Sequence, residues 1–288
     1  MNVLVTGAGG KTGKRVIQAL RVRGAAVRAW VRTSAHAPIF VKWGCDVIVG
    51  DLMEASLWQE AMLNVDAVYH IAPNMFPEEI NLGRLAIDAA ADAGVKHFVF
   101  HSVFHPQTES MPHHWKKLRV EEYLFTKNLP FTILQPTAYM QNLLPQWTNI
   151  VEEGRLRQPY TPDTRISLVD LDDVAEAAAQ VLLEPGHSGA TYELVGTPPL
   201  SQIEVAATFA QVLGRPVDAE AIPTDVWARQ AQGLSDYARN TLLAMFDYYE
   251  RYGLVGNPNV LGWLLGRTPT TLRAFIQATM TRFRQTSD

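Results

Sequence analysis

The chain has 288 residues, of which 47% are hydrophobic and 19% are charged, and its formal net charge is −4. This composition is ordinary for a globular protein, and the small negative charge argues against binding to a nucleic-acid backbone. A single cysteine, Cys45, excludes an internal disulfide bond and favours a reducing compartment. No apolar run approaches the roughly 20 residues that span a bilayer, and no secretory signal is visible, so we expect a cytoplasmic protein without a membrane segment.

Short apolar runs alternate with helical patterns over the first half of the chain. Strands are predicted at 2–6, 25–31, 46–49, 67–71, 96–101 and 131–134, and helices at 11–22, 57–63, 78–93 and 115–126. Such alternation is typical of a parallel sheet with helices on both faces. The sequence therefore predicts an α/β fold with a Rossmann-type, doubly wound parallel sheet.

The pattern changes after about residue 150. We interpret the polar, proline-containing residues 155–164 as an active-site loop. The remaining predicted elements are a helix at 172–183, a strand at 191–195 that returns to the sheet, and helices that include 227–251, 270–283 and an amphipathic stretch over 264–283. We predict an NAD(P)-binding Rossmann domain of residues 1–150, completed by residues 167–196, and a smaller, mostly helical substrate-binding domain of residues 197–288.

Three glycines, Gly7, Gly10 and Gly13, lie between the first predicted strand and the first helix. Glycine suits this turn because it accepts positive φ and lets the backbone approach a diphosphate without a Cβ in the way. The helix N-terminus then presents N–H groups and the positive end of its dipole to the anion. A glycine-rich turn without a ligand is the alternative. The predicted loop contacts are Thr6, Gly7, Gly10, Lys11, Thr12 and Gly13.

The end of the second strand predicts which dinucleotide binds. NAD-binding folds usually place Asp or Glu there for the ribose 2′-hydroxyl, but no carboxylate occurs between Gly24 and Cys45. Arg32 ends this strand and can pair with a 2′-phosphate through two hydrogen bonds. Lys11 would add a second positive charge. We therefore predict NADP(H) as the cofactor, with a solvated surface arginine as the alternative interpretation of Arg32.

These residues resemble the NmrA-like branch of the atypical short-chain dehydrogenase/reductases, and the resemblance covers essentially the whole chain. The motifs that carry it are Val5–Gly13, Val31-Arg32, Gly50-Asp51-Leu52, and Leu129–Pro136 followed by Tyr139–Asn142. The last two are similar to the family's segment beside the nicotinamide, but Gln135 stands where the family usually has arginine. The resemblance implies a Rossmann domain with a small, mostly helical substrate domain. Some members reduce quinones, dyes or enone-like substrates, and others act as redox sensors through a protein partner.

We predict further cofactor contacts outside the glycine loop. They are Asp51, Leu52, Ala72, Pro73, Lys117, Pro136, Tyr139 and Asn142. For Asp51, which follows the third strand, an adenine contact and a simple helix N-cap are both open.

The usual catalytic pair of short-chain dehydrogenases is a YxxxK motif. The one YxxxK here, Tyr123 to Lys127, lies at the end of its helix beside apolar residues, so we interpret Tyr123 as a core residue. His113, Lys117 and Glu121 are spaced by four residues and share a helix face, a pattern that resembles YxxxKxxxE with histidine in the tyrosine position.

We predict a catalytic set of Ser102, His113 and Lys117. Ser102 follows the fifth strand, and Lys117 would bind the ribose hydroxyls or orient the substrate. His113 or His114 would donate a proton near neutral pH. The alternatives are a surface lysine for Lys117 and a loop or helix-start residue for His113.

Two other groups of residues have less specific interpretations. The histidines at 101, 105, 113 and 114 lack cysteine and match no metal motif, so we predict no metal site. Aromatic residues of the C-terminal region either form the core of a small lobe or line a pocket for a flat, apolar substrate. These residues are Trp227, Phe246, Tyr248, Tyr249, Tyr252 and Trp263.

The sequence thus favours an NADPH-dependent reductase of a small, apolar, electrophilic molecule such as a quinone or enone. The alternative is a non-catalytic NADP(H) sensor that acts through a protein partner, and the His113/Lys117 pair discriminates between them. A weaker third hypothesis is an isomerase or epimerase of a nucleotide-linked substrate. We expect a small-molecule substrate and no nucleic-acid or membrane partner, and we leave a protein partner or a homodimer open.

Overall fold

The computed structural model describes residues 1–285, which form two compact units. The first unit contains residues 1–109, 113–136 and 174–193. The second contains residues 110–112 and 137–173 and the described residues from 194 onward. We predicted one domain of residues 1–150 completed by 167–196, and a second domain of residues 197–288. That these parts fold independently stays a prediction.

Seven strands form one sheet in the order β11-β6-β5-β4-β1-β2-β3. They are β1 (Asn2–Val5), β2 (Ala26–Val31), β3 (Asp46–Val49), β4 (Ala67–His70), β5 (His97–His101), β6 (Phe131–Pro136) and β11 (Ala190–Leu194). Every pairing from β6 across to β3 is parallel. The strand order reverses between β1 and β4, and such a switch point is where open α/β sheets bind ligands. The predicted doubly wound sheet is confirmed.

The connections of this sheet are helical. The helices are α1 (Lys11–Val22), α2 (Ala37–Lys42), α3 (Ala55–Ala61), α4 (Glu79–Asp92), α5 (Pro112–Phe125) and α6 (Leu171–Leu183). On one face of the sheet, Phe98 and Phe100 pack with Leu82 of α4 and Val120 of α5 in a continuous buried core. The strands are buried because helices cover both faces, which explains why they read as apolar runs without alternation.

Helices α4 and α5 approach each other closely at Gly83. A Cβ added to Gly83 would lie 2.5 Å from Cγ1 and 2.6 Å from Cγ2 of Val120. Gly83 shares its buried helix face with Glu79, Leu82 and Ala86. The absence of a side chain at this position therefore sets the spacing of the two helices.

The second unit combines short strand pairs with helices. Its strands are β7 (Ala138–Tyr139), β8 (Arg155–Gln158), β9 (Arg165–Ile166), β10 (Leu168–Val169), β12 (Leu200–Ser201) and β13 (Asp218–Ala221). Strand β7 pairs with β10 and β8 with β13 in parallel, while β9 pairs with β12 antiparallel. Its helices are α7 (Gln202–Leu213), α8 (Thr224–Gln230), α9 (Asp236–Tyr252), α10 (Asn259–Leu265) and α11 (Leu272–Gln285).

Three predicted elements of the second unit are wrong in part. Residues 155–158 form strand β8 rather than loop, because β13 supplies its partner strand. The helix predicted over 227–251 is broken after α8, where Gly233 has φ +85°. The stretch predicted as a helix over 264–283 is interrupted by Gly266, whose φ is +65°, and by Pro269.

None of the helices within residues 1–285 is long and apolar enough to cross a membrane. Cys45, the one cysteine of the sequence, is buried.

Candidate functional site

The glycine loop packs at backbone distance against its surroundings. Gly7 has φ +58°, and a Cβ there would lie 2.8 Å from the carbonyl oxygen of Ile71. A Cβ on Gly13 would lie 2.5 Å from the oxygen of Gly7 and 2.8 Å from Cα of Ala8. Both contacts involve main-chain atoms that cannot move aside. Gly7 and Gly13 are therefore required by the fold of the loop itself.

Gly10 has a different environment, which leaves room for a ligand. It is the N-cap residue of α1 in an extended conformation, and it has no side chain with which to cap the helix. A Cβ on Gly10 would meet only the oxygen of Gly7, at 3.3 Å, within 4 Å. The first turn of α1 contains no acidic residue. An uncapped helix N-terminus beside a position without a side chain fits the diphosphate of a dinucleotide.

Thr6 connects strand β1 to the end of β4. Its buried Oγ1 accepts a hydrogen bond from the main-chain N–H of Ile71 at 2.9 Å and lies 3.1 Å from Nδ1 of His70. The hydroxyl also donates to the oxygen of Ile71 at 3.0 Å. The side chain of Thr6, predicted to contact the cofactor, is thus used within the fold, and its main-chain N–H donates to the oxygen of Tyr69 at 3.1 Å.

Arg32 follows directly on the buried end of β2. Its side chain is exposed, and no ion pair of the described residues involves it. His36 lies nearby, and Nδ1 of its ring is 3.1 Å from Oγ1 of Thr33. A Cβ on Gly9 would lie 3.6 Å from the ring of His36. The structure therefore places a second basic side chain beside the glycine loop, and our sequence analysis missed it because histidine at this position belongs to no motif that we used.

The predicted adenine and nicotinamide contacts lie in several segments. Oδ1 of Asp51 accepts from the N–H of Met53 at 2.9 Å, while the N-cap of α3 is Glu54, so the N-cap interpretation of Asp51 is wrong. The oxygen of Leu52 accepts from Nε1 of Trp58 at 2.8 Å. Of the remaining contacts, Thr12, Ala72 and Pro136 are buried, Lys11 and Pro73 are exposed, and Tyr139 and Asn142 belong to the second unit.

Lys117 forms a buried ion pair. Its Nζ lies 2.7 Å from Oε1 of Glu79 and donates to the main-chain oxygen of His101 at 3.0 Å. The side chains of Lys117 and Glu79 are 4% and 1% exposed. The surface-lysine alternative for Lys117 is therefore wrong, and an ammonium already held by two partners is a poor ribose ligand. The contact with the ribose stays a prediction that would require this pair to rearrange.

Two buried histidines end strands β4 and β5 beside this ion pair. The hydroxyl of Tyr69 lies 2.5 Å from Nδ1 of His101. Burial, together with the charge of Lys117, lowers the pKa of His70 to about 3 and that of His101 to about 3. Nε2 of His70 has no hydrogen-bond partner. Both imidazoles are therefore neutral at neutral pH.

Ser102, which directly follows β5, donates a hydrogen bond to the carboxylate of Glu121 on α5. Nε2 of Gln135 donates to both carboxylate oxygens of Glu121, at 3.0 and 3.1 Å. Burial raises the pKa of Glu121, and the hydrogen bonds from Ser102 and Gln135 offset part of this shift. Gln135, at the position where the resemblance leads us to expect arginine, is thus a neutral donor to this carboxylate.

His113 and His114 differ from the proton donors that the sequence predicted. Burial and the nearby Lys117 hold the pKa of His113 well below its ordinary value. Burial lowers the pKa of His114 to about 4, and its Nε2 has no partner. The expectation that either residue titrates near neutral pH is wrong, because burial desolvates both rings and the charge of Lys117 adds to this effect at His113.

Tyr123 is partly buried and packs against the core of the first unit. Its hydroxyl donates to the carboxylate of Asp88 at 2.9 Å, and Nζ of Lys127 lies 4.5 Å from the centre of its ring. The YxxxK pair is therefore held by Asp88 of α4 in a structural contact.

Sequence analysis missed Glu79, the partner of Lys117, although the position of Glu79 on its helix carries a recognisable signal. Glu79 occupies the first turn of a helix whose buried face continues at Leu82, Gly83 and Ala86. A glutamate in phase with such a face is rarely buried without a partner. This phase could have identified Glu79, but it could not have named Lys117 as the partner. No group of three or more metal-ligating side chains occurs within residues 1–285.

Aromatic side chains cluster in the second unit. The rings of Trp227 and Phe246 are 4.7 Å apart, and that of Tyr160 lies 6.1 Å from Phe246 and 6.3 Å from Tyr249. Tyr160 belongs to the segment that we interpreted as an active-site loop. We call Tyr160, Trp227, Phe246 and Tyr249 the aromatic cluster.

Known proteins resemble this chain over almost its full length. It is 31% identical to the NAD(P)H azoreductase of Xenophilus azovorans, covering 96% of this chain and 97% of that one. It is 27% identical to quinone oxidoreductase 2 of Escherichia coli (strain K12), over 94% of this chain and 96% of that one.

Solved structures give the same result. The Escherichia coli NADPH-dependent quinone oxidoreductase in complex with NADPH superposes with a TM-score of 0.86 at 26% identity, over 96% of this chain and 99% of that one. The Citrobacter sp. triphenylmethane reductase complexed with NADP(H) gives a TM-score of 0.84 at 25% identity, over 96% and 100%. The model of the NmrA-like family matches residues 1–281. The chain therefore belongs to the NmrA-like family.

Proposed function

We propose that this chain transfers a hydride from NADPH to a small, apolar, electrophilic acceptor such as a quinone or an enone. Its oxidoreductase class and its nicotinamide cofactor follow from the family and from relatives that match almost the whole chain. The observation that supports the choice of NADPH is the exposed Arg32, which directly follows strand β2, the neighbour of β1 and its glycine loop.

The residues of the first unit would hold the cofactor by its phosphates. The N–H groups at the start of α1 would bind the diphosphate, since the N-cap residue Gly10 has no side chain to cap the helix and leaves space there. Arg32, supported by Lys11 and His36, would pair with the 2′-phosphate. Bound NADPH would supply a hydride, so that the acceptor gains two electrons and one proton and needs one further proton.

The acceptor class is inferred from two features. The relatives are named for the reduction of azo compounds, quinones and triphenylmethane dyes, all of which are conjugated molecules. In the aromatic cluster of the second unit the rings pack against one another, and Tyr160, Trp227 and Phe246 stay partly exposed, so they could contact a flat, apolar molecule. Both features support an apolar, conjugated acceptor over a sugar or an amino acid.

Water is the proton source that fits the structure best. His113 is held neutral, because burial and Lys117 lower its pKa. Ser102 is hydrogen-bonded to Glu121, and Lys117 is paired with Glu79. A reduced quinone carries its charge on oxygen and takes up a proton from water without a protein acid. The proposed reaction therefore needs cofactor and acceptor held together more than it needs acid catalysis.

The test is a screen of quinones, azo dyes, triphenylmethane dyes and enones with the purified protein. The loss of NADPH absorbance measures the reduction of each compound. We expect at least one quinone or dye to be reduced, faster with NADPH than with NADH. Arg32→Ala should remove this preference, and Arg229→Ala, which lies on the surface of the second unit, is the matched control. Equal rates with both cofactors would contradict the role of Arg32.

A non-catalytic NADP(H) sensor remains the second candidate, and the pairing of Lys117 with Glu79 favours it. A sensor would report the redox state through a protein partner or a homodimer. It predicts that no acceptor is reduced, while NADP⁺ and NADPH bind with clearly different affinities in calorimetric titrations.

A further inference from the structure

The second unit contains a cavity of about 650 Å³ that its own residues form. This volume lies in the range of about 300–1,000 Å³ that is usual for small-molecule sites. The walls come from the segment after β11 and from α7, α10 and the start of α11. Among the lining residues are Leu200, Gln211, Trp263, Pro269, Leu272 and Arg273. None of them belongs to the glycine loop or to the aromatic cluster.

One part of the wall is flat and apolar. Trp263 of α10 lines the cavity and is 77% exposed, whereas Leu272 is buried. Gly262 precedes Trp263, and a Cβ there would lie 3.5 Å from the oxygen of Arg267 and 3.6 Å from Cδ of Pro269. A Cβ would fit at these distances, but a larger side chain at position 262 would enter the space between α10 and the segment 267–269. An indole that faces such a space can stack against a planar ring.

Another part of the wall is positively charged. Two arginines line the cavity, and no carboxylate does. The charge of Arg267 is balanced by Asp173, because its Nη2 lies 2.7 Å from Oδ1 of that residue. Arg273 donates instead to Oε1 of Gln211, which is a neutral amide. This contact with a neutral amide does not balance the charge of the Arg273 guanidinium. A carboxylate would balance it and can accept its hydrogen bonds.

We propose that this cavity is a second small-molecule site, which binds an aromatic carboxylate with its ring against Trp263 and its carboxylate on Arg273. The proposal is independent of the reductase function, since no residue that lines the cavity belongs to the glycine loop or to the aromatic cluster. A small molecule suits it better than a protein surface, because the apolar wall and the cation line one concave space of ligand size.

The experiment is a calorimetric titration of the full-length protein, saturated with NADP⁺, with 2-naphthoate and with its neutral analogue 2-naphthamide. We expect naphthoate to bind at least about tenfold more tightly, the size of one charge-assisted hydrogen bond. Arg273→Gln should abolish this difference and Arg273→Lys should keep most of it. Trp263→Ala and Gly262→Leu should weaken both ligands. Arg251→Gln removes an arginine of the same unit that pairs with Asp247, and it should change nothing.

Four outcomes would overturn the proposal. Three are the absence of naphthoate binding at millimolar concentration, equal affinity for both ligands, and an equal loss in Arg251→Gln and Arg273→Gln. A fourth is a change of oligomeric state in Trp263→Ala, seen by sedimentation, which would make the cavity an interface between copies of the chain. NADPH oxidation by the same variants reports separately on the reductase function, because the naphthalene ligands are not acceptors.

Discussion

The glycine loop and the Lys117–Glu79 pair lie in the same unit but are built on opposite principles. The loop depends on the absence of side chains, because main-chain atoms provide its packing and, as we propose, its anion site. The ion pair works because two charged side chains from α4 and α5 meet where water is excluded. The first site should therefore fail when atoms are added, and the second when a charge is removed.

Removal of one charge from the ion pair should have the largest effect. Lys117→Met leaves the Glu79 carboxylate buried without a partner, which typically destabilises a fold by about 3–5 kcal/mol. The double variant Glu79→Leu with Lys117→Met should recover most of that loss. Urea unfolding of the three proteins at neutral pH measures these differences.

The control for this prediction is Lys127→Met, which breaks the more exposed pair of Lys127 with Asp88. Its effect should be much smaller, because water screens and solvates exposed charges. Equal losses in the two lysine variants would mean that burial does not decide the strength of the pair.

Addition of atoms to the glycine loop should have the next largest effect. Gly10→Val should weaken dinucleotide binding at least about a hundredfold, or about 2.7 kcal/mol, because the side chain enters the space of the diphosphate. Its backbone conformation suits any residue, and its Cβ contact at 3.3 Å requires the Gly7 oxygen to shift by only a few tenths of an ångström, so the protein should stay folded. Calorimetric titration with NADP⁺ and a thermal unfolding curve test both parts. Near-native affinity would place the diphosphate elsewhere.

Arg32→Ala should have a smaller and more selective effect. The loss of charge-assisted hydrogen bonds to the 2′-phosphate should weaken NADPH by about 1.5–3 kcal/mol, which is roughly 10- to 150-fold. NADH lacks this phosphate, and its affinity should hardly change. The ratio of the two dissociation constants is the measurement, and an unchanged ratio would contradict the assignment.

His70→Phe should change the stability of the protein in acid. The folded pKa of His70 is about 3, while an unfolded histidine keeps the ordinary value near 6.5. The unfolded chain therefore binds an extra proton below pH 6.5, and stability falls as the pH decreases from there towards 3.

Phenylalanine should reduce this slope by up to about 1.4 kcal/mol per pH unit. It should cost little at pH 7, because the ring lies 6.0 and 6.1 Å from those of Phe98 and Phe100. Urea unfolding between pH 7 and 4 gives the two slopes, and parallel slopes would show that His70 is not responsible.

The smallest effect is expected from His113→Asn. Because the pKa of His113 is held well below its ordinary value, the residue does not titrate between pH 6 and 8. The rate profile of any acceptor found in the screen should keep its shape over that range. The loss of an inflection near pH 6.5 would restore His113 as an acid.

The same contrast explains how much of this molecule its sequence could predict. Gly7 and Gly13 are identifiable because their constraint is local, since the turn and the first helix follow each other in the chain. The sheet was predictable for the same reason, since its strands are apolar runs between helical patterns. The family resemblance added the remaining cofactor segments.

The partners of Lys117 could not be predicted, because Glu79 lies on a different helix and the sequence does not state which helices are neighbours. The prediction that His113 donates a proton near neutral pH was wrong for a related reason. Its pKa depends on burial and on charges that the fold brings together, and the spacing of His113 and Lys117 alone suggested only that they share a face. The breaks at Gly233 and Gly266 lie within otherwise helical patterns, where a single glycine is often tolerated.

The close approach at Gly83 has a consequence for protein engineering. Replacement of a helical glycine by alanine is a standard route to greater stability and usually gains up to about 1 kcal/mol. At position 83 the new methyl group would collide with Val120, which is fully buried. It would push α4 away from α5 and so lengthen the gap that the Glu79–Lys117 pair bridges. A stabilisation campaign guided by helix propensity alone would thus select a substitution that weakens this protein.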